Sequence, residues 1–249
     1  MLPSTIDEVI EQLDQIIIKS SNDESRLGYF PALYKKVTIK IKEKIAANYF
    51  EDNERMEKLD VVFANRYIEA YNNFHNSESC TQSWLLSFNT SKSWSPLVIQ
   101  HLLLGMNAHI SLDLGIAAAE VSEERDIELL RSDFFKINEI LSSLVDEIQD
   151  QLSEMWPLLK PIDWIAGRLD ESIANFGMGI ARDAAWQVAI DYSKLDTIEE
   201  KEQYLIRRDL KVENFGSKLA NPGILLNIII RLLRYLEIGS VKRKIKILS

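Results

Sequence analysis

Ser95-Pro-Leu-Val-Ile-Gln-His101-Leu-Leu-Leu-Gly105-Met-Asn-Ala-His109-Ile-Ser-Leu-Asp113-Leu-Gly-Ile-Ala-Ala-Ala119 is the stretch that decides the fold. Ser95 with Pro96 reads as a helix N-cap and first helical position. From Leu97 on the stretch is apolar almost all round, the composition of a helix surrounded by others rather than lying at the surface.

Outward from that helix, the rest of the chain supplies partners for it. Thr5 with Glu8 three residues on is a capping box, and Ile6, Val9, Ile10, Leu13, Ile16 and Ile17 then fall on one face. Ser20 to Gly28 is polar and turn-like, after which Leu33, Val37, Ile41 and Ile45 recur every four residues, as in a helix. From Asn53 to about Phe74, Met56, Leu59, Phe63, Tyr67 and Ala70 form a stripe bordered by Asp60. Over 126–154, Ile127, Leu130, Phe134, Ile137, Leu141, Leu144, Ile148 and Leu152 alternate steps of three and four against an acidic remainder, which predicts an amphipathic outer helix. Pro157 and Pro161 break the pattern there, and Asp163–Asn175, Gly179–Ser193 and Ile198–Leu210 read as shorter helices, the last capped by Thr197 and Glu200.

Composition agrees. The chain has 249 residues, 46% of them apolar, enough for one large core. Its 9 Gly and 6 Pro are too few to punctuate the short strands of a sandwich or barrel. The expectation is an all-α, single-domain, multi-helix bundle spanning 1–249 around a central apolar helix at about 96–120.

The formal net charge of −9 argues against nucleic acid, whose binding needs clustered Lys and Arg to displace counterions. The charge is uneven: Arg231, Arg234, Lys242, Arg243, Lys244 and Lys246 against Glu237 give 224–249 a balance of +5 and leave 1–223 at −14. This apolar segment with a basic C-terminal tail has two uses open to it, a core helix closing the bundle or peripheral contact with anionic lipid. One cysteine, Cys80, permits no internal disulfide. The N-terminus lacks the basic and apolar regions of a signal peptide, and no uninterrupted run reaches roughly 18 apolar residues. A soluble cytoplasmic protein is expected.

Of the three histidines, His75, His101 and His109, two fall on the central helix. At about 100° per residue, His101, Gly105, His109 and Asp113 advance by about 40° each and share one face over three turns. Gly105 costs roughly 1 kcal/mol relative to Ala in a helix interior, and the gap it leaves can admit a substrate, a metal or a neighbouring helix. His101 and His109 are about 12 Å apart along the axis, far for one ion. His109 and Asp113, at i and i+4, can share a divalent metal ion whose other ligands come from other helices, with Asp60 and Asp183 as candidates and Arg66 and Arg182 as counter-ions. The competing reading is structural: Asp113 pairs with an Arg and orients His109.

His75 reads as a solvent-facing loop residue. Cys80, at an apparent helix start, reads as a small buried residue rather than a dipole-activated thiol. Gly-x-Ser-x-Gly, the phosphate-binding Gly-rich loop and Gly-x-Gly-x-x-Gly are all missing, which removes classical hydrolase, kinase and dinucleotide-binding readings. The glycines of Gly177-Met-Gly-Ile-Ala read as a helix junction.

Leu59-Asp-Val-Val-Phe-Ala-Asn-Arg-Tyr67, Gly105-Met-Asn-Ala-His-Ile-Ser-Leu-Asp-Leu114 and Ala181-Arg-Asp-Ala-Ala-Trp186 resemble three blocks of an uncharacterised bacterial family catalogued as domain of unknown function fifty-nine ninety-five. The resemblance runs from about Leu27 to Leu236 and implies a shared site rather than a known activity. It puts emphasis on Asp60, Asn65, Arg66, Tyr67, His101, Asn107, His109, Asp113, Arg182, Asp183 and Trp186. The chain departs from the expected family pattern at Ser111 and Gly115, where Asn and Pro stand in the family, so a ligand role for that Asn is absent here.

Two functions are left in competition. One is an enzyme, a metal-dependent hydrolase or an acid/base catalyst, acting on a small or lipid-like molecule. In it His101, His109 and Asp113 are catalytic, Arg66, Tyr67, Asn107, Arg182 and Trp186 hold substrate, and His109, Asp113, Asp60 and Asp183 hold the metal. The other is a non-enzymatic helical ligand-binding or scaffolding module whose buried polar network fixes helix register.

Overall fold

The computed structural model describes residues 2–123, 126–156 and 178–249. Among them are eleven α-helices and no strand, as expected of an all-α bundle. The helices are α1 Ile6–Asn22, α2 Tyr29–Ala46, α3 Asn53–His75, α4 Gln82–Thr90, α5 Val98–Ala108, α6 Gly115–Glu120, α7 Arg131–Met155, α8 Met178–Tyr192, α9 Ile198–Ala220, α10 Ile224–Leu236 and α11 Val241–Leu248. The Pro157 and Pro161 break, the helix expected over Asp163–Asn175 and the Gly177 junction lie outside the described residues.

The central helix runs from Val98 to Glu120, joined through a π-helical turn at His109–Leu114. It starts later than Ser95-Pro96 suggests, because its first amides are capped from elsewhere. Gln100 Oε1 accepts from Leu97 N at 3.0 Å, and the distant Glu237 Oε1 accepts from Val98 N at 2.9 Å. A carboxylate at a helix N-terminus is favoured by the dipole and the free amides. The helix is long and apolar enough to cross a membrane by length and composition, but 83% of it is buried inside the protein, as in a core helix.

Two close approaches fix what packs on it. A Cβ on Gly105 would stand 2.5 Å from the Phe30 ring of α2, and one on Gly115 would stand 2.4 Å from the Ala185 carbonyl of α8. The gap at Gly105 is therefore taken by a neighbouring helix, not by substrate or metal. Inside the π turn, Ser111 O accepts from Arg208 Nε of α9 at 2.8 Å, which satisfies a carbonyl where the regular helical ladder is interrupted.

The surrounding helices obey their sequence patterns. Ile6, Val9, Leu13, Ile16 and Ile17 are buried, and Thr5 caps Glu8 N; the Glu8 carboxylate binds Ser4 instead of returning to Thr5, so only half the capping box forms. The Thr197–Glu200 box is complete, and the helix it starts reaches Ala220, ten residues beyond the expected Leu210. His75 ends α3 with its ring against Tyr71, an exposed helix C-terminus rather than a loop. Cys80 is half-buried ahead of α4, whose first amides, Gln82 N and Ser83 N, are taken by the Asp209 carboxylate at 2.6 and 3.0 Å. Burial and Asp209 push the Cys80 thiol up, the opposite of activation.

The tail divides. Arg234 and Lys244 are buried around Glu237, while α10 packs Leu233 inward and leaves Ile224, Leu225, Ile228, Leu232 and Tyr235 exposed. The core-helix expectation thus holds for one face of α10 only.

Candidate functional site

The sequence places His109 and Asp113 one turn apart, and the structure brings them together. Asp113 is buried. Its Oδ1 accepts from Arg66 Nε at 3.1 Å, and its Oδ2 accepts from Trp84 Nε1 at 2.9 Å and lies 3.4 Å from His109 Nδ1. Arg66 also reaches Glu120 at 3.4 Å. The carboxylate is therefore well supplied with donors, which is how a buried charge becomes tolerable.

His109 is 2% exposed and sits among rings. Phe63 stacks on it at 3.5 Å between centroids and 7° between planes, and the edge of Tyr34 stands at 4.5 Å. Burial pulls its pKa down against the opposing pull of Asp113. The neutral tautomer this favours carries its proton on Nδ1 toward Asp113 and leaves the Nε2 lone pair free, and no described group bonds that atom.

His109 lines a cavity of about 130 Å³. That is of the order known to admit one benzene-sized apolar molecule, but here the space is drawn out along the helices. α5 and the π turn line it from Ile99 to Leu114 and α7 from Ile137 to Leu152, each a span of sixteen residues or about 22 Å of helix axis. Leu33, Val37 and Ile41 of α2 and Met56, Leu59 and Phe63 of α3 close the sides. The α7 stripe visible in the sequence is thus as much a wall as a packing face.

Four other polar groups line the cavity, and three of them have atoms without partners among the described residues. Asp60 is 3% exposed with no hydrogen bond to either carboxyl oxygen, and the Tyr34 hydroxyl and Arg182 Nε are likewise unbonded there. The fourth, Gln149, lies toward the opposite end of α7 from Ile137. Burial, reinforced by Glu57, pushes the Asp60 carboxyl up to about 8, so it is a protonated acid at neutral pH. Burial alone draws the Arg182 guanidinium down to about 9. Arg182 donates from Nη2 to the Phe134 carbonyl at 2.6 Å and lies over the Phe134 ring at 4.9 Å.

On the other side of Asp113 is a wider, more open cleft of about 440 Å³ that includes Arg66, Cys80, Trp84 and Asp209. Its buried charges are already engaged: Arg66 with Asp113 and Glu120, Asp209 with the amides and hydroxyl at the start of α4. The His109–Asp113 pair forms the partition between cleft and cavity.

The other expected site residues scatter. His101 is buried against Tyr29 at 5.6 Å, away from the cavity, with its pKa held down to about 3 by burial and by Arg26, Arg234 and Lys244; Phe30 fills the space between it and His109. Tyr67 stands in the aromatic cluster with Phe30 and Trp84, its hydroxyl unpartnered among the described residues. Asn107 donates to Val212 O of α9 at 2.8 Å, a helix-to-helix tie. Asn65 donates to Pro3 O at 2.9 Å. Trp186 packs on Phe134 at 5.0 Å within the core.

The four expected metal ligands do not converge. Asp183 is exposed, Asp113 is committed to Arg66 and Trp84, and no three His, Cys, Asp or Glu side chains gather as a ligand set among the described residues. These residues do not fit the divalent ion expected of them, and the arrangement is better described as a structural Asp113 network that presents His109 to an apolar cavity. Trp84, Tyr34, Phe63 and Asp209 were not legible as site or network residues; only the Trp at the start of α4 carries a signal, an indole N–H that needs a buried acceptor.

A family model described as Family of unknown function (DUF5995) matches residues 6–222, so the chain belongs to that family. The match begins earlier than the resemblance at Leu27 suggests and stops before α10. No curated protein and no solved structure matches the chain.

Proposed function

We propose that this member of the DUF5995 family binds a slender, chain-like apolar molecule lengthwise between α2, α3, α5 and α7. One observation carries the reading: a cavity with apolar walls whose few polar groups, Asp60, His109 and Arg182 among them, keep donors and acceptors without partners among the described residues. Such atoms cost on the order of 1–3 kcal/mol each when left unsatisfied, a cost a bound polar end removes. Ligand sites elsewhere share this make-up, mostly apolar with a few convergent polar groups.

Calorimetric titration with decan-1-ol, a neutral chain, tests it. Saturable binding at one site is expected, and Leu144→Trp, which puts an indole into the cavity, abolishes it while circular dichroism stays helical. No binding by the wild-type protein, or equal binding by the filled variant, overturns the reading.

A second reading, acid/base chemistry on the bound molecule, is favoured by the Asp113-oriented His109 with its free Nε2 and by the protonated Asp60 lining the same cavity. His109 would accept a proton from water or substrate, and Asp60 would supply one. Turnover of a p-nitrophenyl decanoate ester that His109→Gln loses while decan-1-ol still binds supports it; absence of turnover in the wild type removes ester hydrolysis.

A further inference from the structure

Arg182 is a cation in the wrong place for a structural one. It is 3% exposed, it lines the apolar cavity, and no Asp or Glu among the described residues pairs with it. Its one hydrogen bond among those residues goes to a neutral carbonyl, that of Phe134, and Nε has none. A buried carboxylate on α7, Asp133, is spent on the amides of Glu51 and Asp52 and on Lys136. An isolated buried cation is tolerated only at high cost, so the described residues leave this site short of an anion.

The cavity's layout says where that anion comes from. Arg182 stands at the Ile137 end, with Met56, Leu59 and Leu114, while Ile99, Leu102 and Leu152 form the opposite end in a separate apolar cluster. A molecule lying lengthwise would put one end at the guanidinium and the other among aliphatic side chains. A single guanidinium balances one negative charge, and its planar fork matches a carboxylate.

We infer that the chain-like molecule carries a carboxylate head that pairs with Arg182, making a long- or medium-chain monocarboxylate the ligand class; the inference rests on the reading of the cavity as a binding site. The raised pKa of Asp60 supports it, since an uncharged carboxyl on the cavity wall does not repel such a head. A dianionic phosphate head would bring one charge more than the site can balance.

The test compares decanoate, decan-1-ol and decyl phosphate by calorimetry on the wild-type chain and on Arg182→Met, which keeps the length and apolar bulk of the side chain. Decanoate is expected to bind the wild type on the order of ten- to a hundred-fold more tightly than decan-1-ol, the worth of a charge-assisted hydrogen bond. Arg182→Met should erase that preference, bringing decanoate down to the affinity of the alcohol, with a wild-type helical circular dichroism spectrum showing the variant folded. Decyl phosphate binding as tightly as decanoate would overturn the carboxylate assignment. Equal affinity for acid and alcohol in the wild type would overturn the head-group inference alone. Failure of all three to bind would sink the cavity reading beneath it.

Discussion

Two buried cationic sites in this molecule are built to opposite rules. Around Glu237 every charge is answered: Oε2 accepts from Lys244 at 2.7 Å and from Arg234 at 2.9 Å, Oε1 accepts from Val98 N, and Arg234 also donates to Trp94 O and stacks on that indole. Lys244 is completely buried. In the cavity, among the described residues, Arg182 has a carbonyl and a ring but no counter-charge, and Asp60 has no partner at either oxygen. Burial is equal in the two places, so burial does not separate structure from site. Satisfaction does. The Glu237 cluster ties α10 and α11 to the start of the central helix and answers why a chain with net charge −9 carries a basic tail: two of those bases are internal struts.

The sharpest way to break that contrast is Glu237→Ala. Removing the acid strands Lys244 and Arg234 in the interior and uncaps Val98, a loss of about 3–5 kcal/mol for a broken buried pair. At roughly 2–4 °C per kcal/mol for a chain of this size, thermal unfolding should begin on the order of 10 °C lower. Decan-1-ol affinity, measured below that transition, should be unchanged. A melting temperature within about 2 °C of wild type would mean the cluster contributes little, and the distinction drawn between the two sites would lose its structural half.

Legibility in the sequence divides along the same line. Local signals were legible because they are properties of short stretches: the period of α2, α3 and α7, the Thr197–Glu200 box, and the concentration of His101, His109 and Asp113 on an all-apolar helix. The pairing of Asp113 with an Arg was among the expectations, and Arg66 fills it. What sequence could not supply was which partners are missing. Asp60 and Asp183 look alike beside their stripes, yet one is 3% exposed and the other faces solvent. His101 and His109 look alike eight residues apart, yet Phe30, drawn in by the absent side chain of Gly105, divides them. The start of the central helix depends on Glu237, 139 residues downstream of Val98, which no local pattern encodes. The cavity itself is a difference between volumes contributed by four helices, and no single periodicity reports it.

A smaller effect sharpens the comparison from the side of the cavity, through pH. Asp60 titrates at about 8 in the folded protein against an ordinary 3.8, so across that window the folded state holds a proton that the unfolded chain has released. The folded state binds more protons, and its stability must therefore fall as pH rises toward 8, by at most about 1.4 kcal/mol per pH unit. His101 works in the other direction: held down to about 3 from 6.5, it stays neutral in the fold while the unfolded chain is protonated, so it adds stability as pH climbs from 3 to 6.5 and nothing further above. Between pH 6.5 and 8 the Asp60 slope is free of that opposition. Urea unfolding of the wild type and Asp60→Asn over this range should give curves whose difference shifts steadily toward the variant as pH rises, because Asn has no proton to lose. Parallel curves would mean that Asp60 is ionised and partnered in solution, and the cavity would then resemble the Glu237 cluster rather than oppose it.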